Sequence, residues 1–345
     1  MKNKKPARRN ARITQVAETL RAAKRVLITG HVRPDGDSLG GMIALAHLLN
    51  RAGVRAVATA ARTGLGGPGF LTGVKKLLAP EEAVKRSFDL MVALDCGAFD
   101  RMPEALHPLA SRLPLINIDH HLTNTLFGTL NWIDGRASST GEMLWRLARK
   151  AGWSLDTVSA EALWVALITD TGRFAHEQTR PATLRCGADL LRYGVRTAFI
   201  NDKLYCSFSR VAMELKRRAF RTLTVWGEDN TVALVTLTGQ DFEETGGTKA
   251  DAEDVIEIPR SLVNNRVALF FYGSEEDNAE TRVSIRTRRP LDATVLAKQF
   301  GGGGHSCAAG CTIRQPLSQA KRLFRKAVAD LLEKNPSDDA SLSSS

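Results

Sequence analysis

The chain has 345 residues, 43% hydrophobic and 25% charged, a composition that excludes disorder along its whole length and fits two domains. Its net charge is +11, yet Lys2, Lys4, Lys5, Arg8, Arg9 and Arg12 supply six of those charges before any acid appears, leaving +5 for the rest. No apolar run approaches the roughly 18 residues of a membrane span, and no apolar signal core follows the basic start.

In chain order, residues 1–20 read as a basic disordered arm, either a solvated terminus or a loose contact with RNA or another polyanion. Short apolar strands are expected at 25–30 (RVLITG), 54–60, 88–95 (FDLMVALD) and 115–119 (LINID). Helices alternate with them at 38–51, 139–151, 159–169 and 181–193, and the GLGGPG cluster at 64–69 reads as a surface loop. Continuous apolar strands separated by helices predict an α/β domain over 21–194 with a parallel sheet covered on both faces. The Arg- and Lys-rich stretch 195–222 reads as a helical linker. A smaller mixed α/β domain follows over 223–335, with strands at 222–226, 231–238, 267–272 and 281–286 and helices near 250–263, 292–299 and 316–334. The Ser- and Asp-rich residues 336–345 read as a disordered tail. Cys96, Cys186, Cys206, Cys307 and Cys311 are scattered and form no CxxC pair, so a reducing, cytoplasmic setting is expected, without disulfides or a thiolate zinc site.

The acids and histidines of the first domain fall where the apolar runs end. The first strand runs into His31-Val-Arg-Pro-Asp35-Gly-Asp37, the third ends in Asp95, and the fourth ends in Asp119-His120-His121. The helix at 159–169 runs into Asp170-Thr171-Gly172. Ligands of open parallel sheets collect at the carboxyl ends of strands. Several carboxylates in one cavity stay ionised only beside cations, and a thiolate-free set of Asp and His suits Mn²⁺ or Mg²⁺. Gly36 is expected to turn the loop so that Asp35 and Asp37 face different ions. Taken singly, Asp37-Ser38 and Asp170-Thr171 also fit helix N-caps, Asp95 a turn, and His120-His121 an internally satisfied pair. Four such clusters at sheet ends are harder to explain by capping.

HVRPDGDSLG, the Asp of ALDCG, IDHH and TDTGRF, in that order, resemble the four motifs of the DHH phosphoesterase superfamily. The run FGGGGHSCAAG at 300–310 resembles the glycine–histidine motif of the DHH-associated C-terminal domain, so the likeness extends over about 20–335. The layout is similar to the branch that removes nucleotides from very short RNAs and dephosphorylates 3′-phosphoadenosine 5′-phosphate (pAp). The resemblance implies an active site in the cleft between two domains and two Mn²⁺ ions, with Mg²⁺ as an alternative. It assigns one ion to His31, Asp35 and Asp95 and the other to Asp37, Asp95, His120 and Asp170, with Asp95 as the bridge. His121 is implied as a donor to the scissile phosphate or its leaving oxygen, and Asp119 as the residue that orients a ligand histidine. No side-chain nucleophile is then required, because water acidified by the ions serves.

In the second domain, the glycine run at 301–304 is either a hinge or a backbone-amide cradle for phosphate or a nucleotide, and the cradle is preferred. A P-loop is excluded because no Lys-Ser/Thr follows. The resemblance implies that Arg286, Gly302, Gly303, Gly304 and His305 grip the substrate's terminal phosphate and base. Ser306 stands where relatives are often basic, with Arg288 or Arg289 as compensating candidates. The expected function is metal-dependent hydrolysis of oligoribonucleotides of two to five units and of pAp, with a possible homodimer and no membrane partner. The enzymatic alternative is a pApA or cyclic-dinucleotide phosphodiesterase. A long-strand exonuclease and a pyrophosphatase are weaker, as is a non-catalytic RNA-binding module, because no ligand position has lost its Asp or His.

Overall fold

The computed structural model describes residues 10–61, 67–227, 230–276 and 279–336, and of His305 the backbone alone. The basic residues 1–9, the first half of the glycine cluster at 64–69 and the tail from 337 onward lie outside the described residues. The chain divides into two compact units, with the boundary between Ser207 and Phe208.

In the first unit, β1 (Arg25–Thr29), β2 (Arg55–Thr59), β3 (Leu90–Leu94), β4 (Leu115–Asp119) and β5 (Leu130–Ile133) form a parallel sheet in the order β2-β1-β3-β4-β5. Every residue of β3 and β4 is buried, which is why they read as unbroken apolar runs. β5 carries no such signature. It has four residues, and its buried Asn131 exchanges hydrogen bonds with the Gly128 backbone at 2.8 and 3.0 Å. The strand order changes direction between β1 and β3, the place where open α/β sheets form a ligand crevice.

The longer helices of this unit are α1 (Ile13–Ala22), α2 (Gly36–Arg51), α3 (Thr140–Ala151), α4 (Thr157–Asp170) and α5 (Pro181–Leu191). The arm expected to reach residue 20 is thus too long. Val16, Ala17 and Leu20 give α1 an apolar face that is buried in the core. Gly36 is not the expected turn between Asp35 and Asp37 but the first residue of α2. A side chain is excluded there because a Cβ would meet the Thr169 side chain at 2.4 Å.

The second unit holds a six-stranded sheet in the order β10-β11-β9-β8-β7-β6. Its strands are β6 (Thr224–Trp226), β7 (Val232–Thr238), β8 (Val267–Gly273), β9 (Thr281–Thr287), β10 (Gly303–His305) and β11 (Ala308–Ile313). Only β7 and β8 pair in parallel. Alternate residues of β7 serve two cores, as the strand period requires. Val232 and Leu234 join the core built with α7 (Ala293–Gln299) and α8 (Leu317–Glu333), while Val235 and Leu237 meet α6 (Arg210–Arg221).

The stretch 195–222, expected as a linker, is divided between the units. Ile200 is buried in the first unit's core, whereas Leu215 and Ala219 on α6 are buried in the second. The helix expected near 250–263 is replaced by two short helical turns, Lys249–Ala252 and Glu257–Arg260, the second of which includes Pro259 in its first turn, where no backbone N–H is needed.

Candidate metal centre

The carboxyl ends of β1, β3 and β4 bring their acids and histidines together. Asp95 follows β3 in the left-handed backbone region, at φ 56°. Its Oδ2 lies 3.5 Å from His31 Nε2, and its Oδ1 lies 3.7 Å from His120 Nε2. One carboxylate therefore faces two nests of ligands. The first nest is His31, Asp35 and Asp95, with Asp35 Oδ1 3.8 Å from His31 Nε2. The second is Asp37, His120 and Asp170, with His120 Nε2 3.9 Å from Asp37 Oδ2 and 3.4 Å from Asp170 Oδ2. Most of these separations are too long for hydrogen bonds. They match two donors each about 2.1 Å from a shared cation.

Local structure aims several of these groups. His31 Nδ1 is 2.9 Å from the Val32 carbonyl, which only accepts, so Nδ1 carries the hydrogen and Nε2 is left to ligate. Asp37 is held through both carboxylate oxygens by the first backbone amides of α3, from Thr140 at 2.7 Å and Gly141 at 2.8 Å. The capping role considered for Asp37-Ser38 belongs to Asp35, whose Oδ1 accepts from the Ser38 amide at 3.0 Å. Asp170 closes α4 rather than capping a helix start.

Asp119 does orient a histidine, but not the ligand His120. Its Oδ1 is 2.7 Å from His121 Nδ1, and its Oδ2 accepts from Asn124 Nδ2 at 2.6 Å. Two consecutive histidines point to different partners, and spacing alone does not separate them. Asn124 and Asn117, linked at 2.8 Å, complete this support, and nothing in the sequence singles them out.

The electrostatics match a site built for cations. Asp95 Oδ1 and Asp170 Oδ2 are buried with no hydrogen-bond partner, which hard oxygen-seeking cations would supply. Burial, reinforced by Asp95, Asp170 and Asp35, pushes the Asp37 carboxyl well above the usual range. Burial also raises Asp170, to about 7, with Asp95 and Asp35 adding to the effect against His120. Burial would lower His31, but Asp35 and Asp95 carry it up to about 10. A cation that takes these ligands displaces their protons. The donor set therefore fits two divalent ions that share Asp95.

Burial likewise opposes protonation of His121, but Asp119 and Asp95 hold its pKa up at about 9. Asp119→Asn removes the carboxylate that raises it. The alkaline limb of the kcat pH profile is expected to move to lower pH, with activity reduced roughly ten- to hundredfold. An unmoved limb would show that the limb does not report His121.

Arg286, Gly302, Gly303, Gly304 and His305 belong to the second unit and form a group of their own. The second half of the glycine run lies in a strand. Gly303 and Gly304 pair with Gly310 and Ala309 of β11, and β10 is the terminal strand of its sheet. Small residues are required by close approach: a Cβ on Gly302 would lie 2.2 Å from the Gly310 carbonyl, and one on Gly304 2.5 Å from the Ala308 carbonyl. In register, His305 pairs with Ala308, and Ala308 with Arg286, so the three positions share one row across the sheet. Burial lowers the pKa of the Arg286 guanidinium, with Arg260 adding to the effect and Glu257 opposing it. Ser306 is exposed in the turn after β10.

A parallel α/β unit with two acid–histidine nests sharing one carboxylate, followed by a mixed-sheet unit, is the architecture of a two-cation phosphoesterase. Residues 25–168 match the DHH family N-terminal domain, and residues 230–334 match the DHHA1 domain. The chain is 31% identical to the bifunctional oligoribonuclease and PAP phosphatase NrnA of Thermus thermophilus, over 92% of this chain and 93% of that one. It is 27% identical to the protein of the same name from Bacillus subtilis, over 87% and 93%. Among solved structures, an exopolyphosphatase-related protein from Bacteroides fragilis superposes with a TM-score of 0.84 at 25% identity, covering 92% of this chain and 95% of that one. This chain belongs to the DHH family.

Proposed function

We propose that the protein hydrolyses phosphoester bonds in oligoribonucleotides of two to five units and in pAp, with Mn²⁺ as its ion and the cytoplasm as its place of action. The observation that carries this is Asp95, one carboxylate turned by its two oxygens toward His31 and His120. The two bifunctional relatives, aligned over nearly the whole chain, support the choice of substrates.

His31, Asp35 and Asp95 would hold one ion, and Asp37, Asp95, His120 and Asp170 the other. When bound, the pair supplies Lewis acidity toward a phosphoryl group and acidifies water. His121, fixed by Asp119 through Nδ1, donates its proton to the leaving oxygen. A cleft of about 770 Å³ beside His31 combines apolar walls from Val32, Pro34, Ala60 and Pro103 with the charged Arg33, Glu81 and Glu104, a mixed lining that suits a nucleoside. In the second unit, Arg286 supplies a planar donor pair for a terminal phosphate. As an edge strand, β10 directs alternate backbone N–H groups away from its neighbour, where a phosphate could accept from them.

The test is an activity panel with Mn²⁺ on pAp, pApA, RNA of two to five nucleotides, a 24-mer and cyclic di-AMP. Turnover of pAp and the short RNAs is expected, and a preference for cyclic di-AMP over both would replace this function with the phosphodiesterase alternative. Arg286→Ala and His305→Ala should leave calorimetric Mn²⁺ binding unchanged and raise KM, since they remove grip without removing a ligand. Loss of a Mn²⁺ site in His305→Ala would make the glycine–histidine segment part of the metal centre.

A further inference from the structure

Asp170 closes α4, and the backbone after it takes an uncommon course. Gly172, Arg173 and Phe174 stand consecutively in the left-handed region, at φ 54°, 60° and 68°. Only the glycine adopts this without cost. The turn is held by the Arg173 amide donating to the Ile168 carbonyl at 2.7 Å and the His176 amide donating to the Thr171 carbonyl at 3.0 Å. Its side chains are anchored as well. The Arg173 guanidinium lies 4.7 Å above the Tyr205 ring, and Phe174 packs edge-on against Trp164.

The turn carries two later side chains back onto one atom. His176 Nδ1 is 3.2 Å and Gln178 Nε2 2.8 Å from the backbone carbonyl oxygen of Asp170. A carbonyl only accepts, so Nδ1 of His176 carries the hydrogen. Both lone pairs of that oxygen are engaged, which fixes the Asp170 peptide plane. The His176 ring lies over Gly172, where a Cβ would come within 2.4 Å of Nε2.

Two of the other candidate ligands are aimed through their side chains, Asp37 by two amides and His31 by the Val32 carbonyl. Asp170 Oδ2, like Asp95 Oδ1, is buried without a hydrogen-bond partner, and it lies 3.4 Å from His120 Nε2. At Asp170 the neighbouring polar side chains, His176 and Gln178, converge on the backbone carbonyl instead.

We propose that His176 and Gln178 are positioning residues that aim Asp170 and so set the affinity of the cation site formed by Asp37, His120 and Asp170, without affecting the site at His31 and Asp35. This rests on the two-cation centre proposed above. The test is calorimetric titration of the full chain with MnCl₂ for wild type, His176→Ala, Gln178→Ala and His176→Asn, each with a thermal melt in EDTA. Wild type should take up two ions. Each alanine variant should weaken one site about ten- to hundredfold, the range for an outer support of a metal ligand, and leave the other unchanged. His176→Asn, whose amide nitrogen can stand where Nδ1 stands, should restore most of the loss. Isotherms identical to wild type would overturn the proposal. So would weakening of both sites together with a lowered melting temperature, or an asparagine variant as weak as alanine. Fewer than two ions in wild type would instead overturn the two-cation centre, and this inference with it.

Discussion

Asp95→Asn is expected to lower kcat/KM on pAp by more than about a thousandfold, beyond the loss of a single transition-state donor, while the protein stays folded. Asparagine is the informative replacement because it keeps the shape and tolerates the left-handed φ of 56° that alanine does not. The metal-free protein should change little in stability, because two effects oppose each other. The variant relieves the repulsion that helps to hold Asp37 and Asp170 above the carboxylate range. It also removes the attraction that Asp95 exerts on His31 and His121. Near wild-type turnover at saturating Mn²⁺ would exclude Asp95 as the bridge. A clean loss of both calorimetric Mn²⁺ sites, with the melting temperature in EDTA held within a few degrees, would support it.

Part of the candidate metal centre was legible because a strand buried on both faces leaves an unbroken apolar run that ends where its polar residues begin. His31, Asp95 and His120 announce themselves in this way. What was not legible depends on contacts without a pattern. β5 is four residues long with a polar residue inside it. Asp119 selects His121 over its neighbour through a 2.7 Å hydrogen bond that spacing does not encode. His176 and Gln178 act on a backbone carbonyl, and any residue would have provided one. In the second unit the glycine run was visible, but its reason was not, because a Cβ at Gly302 would meet, at 2.2 Å, the carbonyl of Gly310 on β11, eight residues away.

A preference for short chains is expected from where positive charge is engaged. In the sequence, Lys216, Arg217 and Arg218 look like part of a basic strip along a linker. In the structure that charge is spent within the second unit. Lys216 Nζ is 2.7 Å from Asp254, Arg217 pairs with Glu214, and Arg218 reaches Glu214, Asp241 and Glu244. Sequence-tolerant binding of long single strands needs a charged groove that tracks many phosphates, with aromatic platforms for the bases. Arg286 and His305, by contrast, occupy one row of the sheet, a feature on the scale of one terminal nucleotide. We therefore expect kcat/KM on a 3-mer RNA to exceed that on a 24-mer by at least about tenfold. The 24-mer value should depend only weakly on salt, because few phosphates displace counterions. The measurement is parallel kinetics with Mn²⁺ on 5′-labelled 3-mer and 24-mer at low and physiological salt. Equal specificity constants, or a steep salt dependence for the 24-mer, would replace the terminal grip with a continuous RNA track and make the protein a long-strand exonuclease.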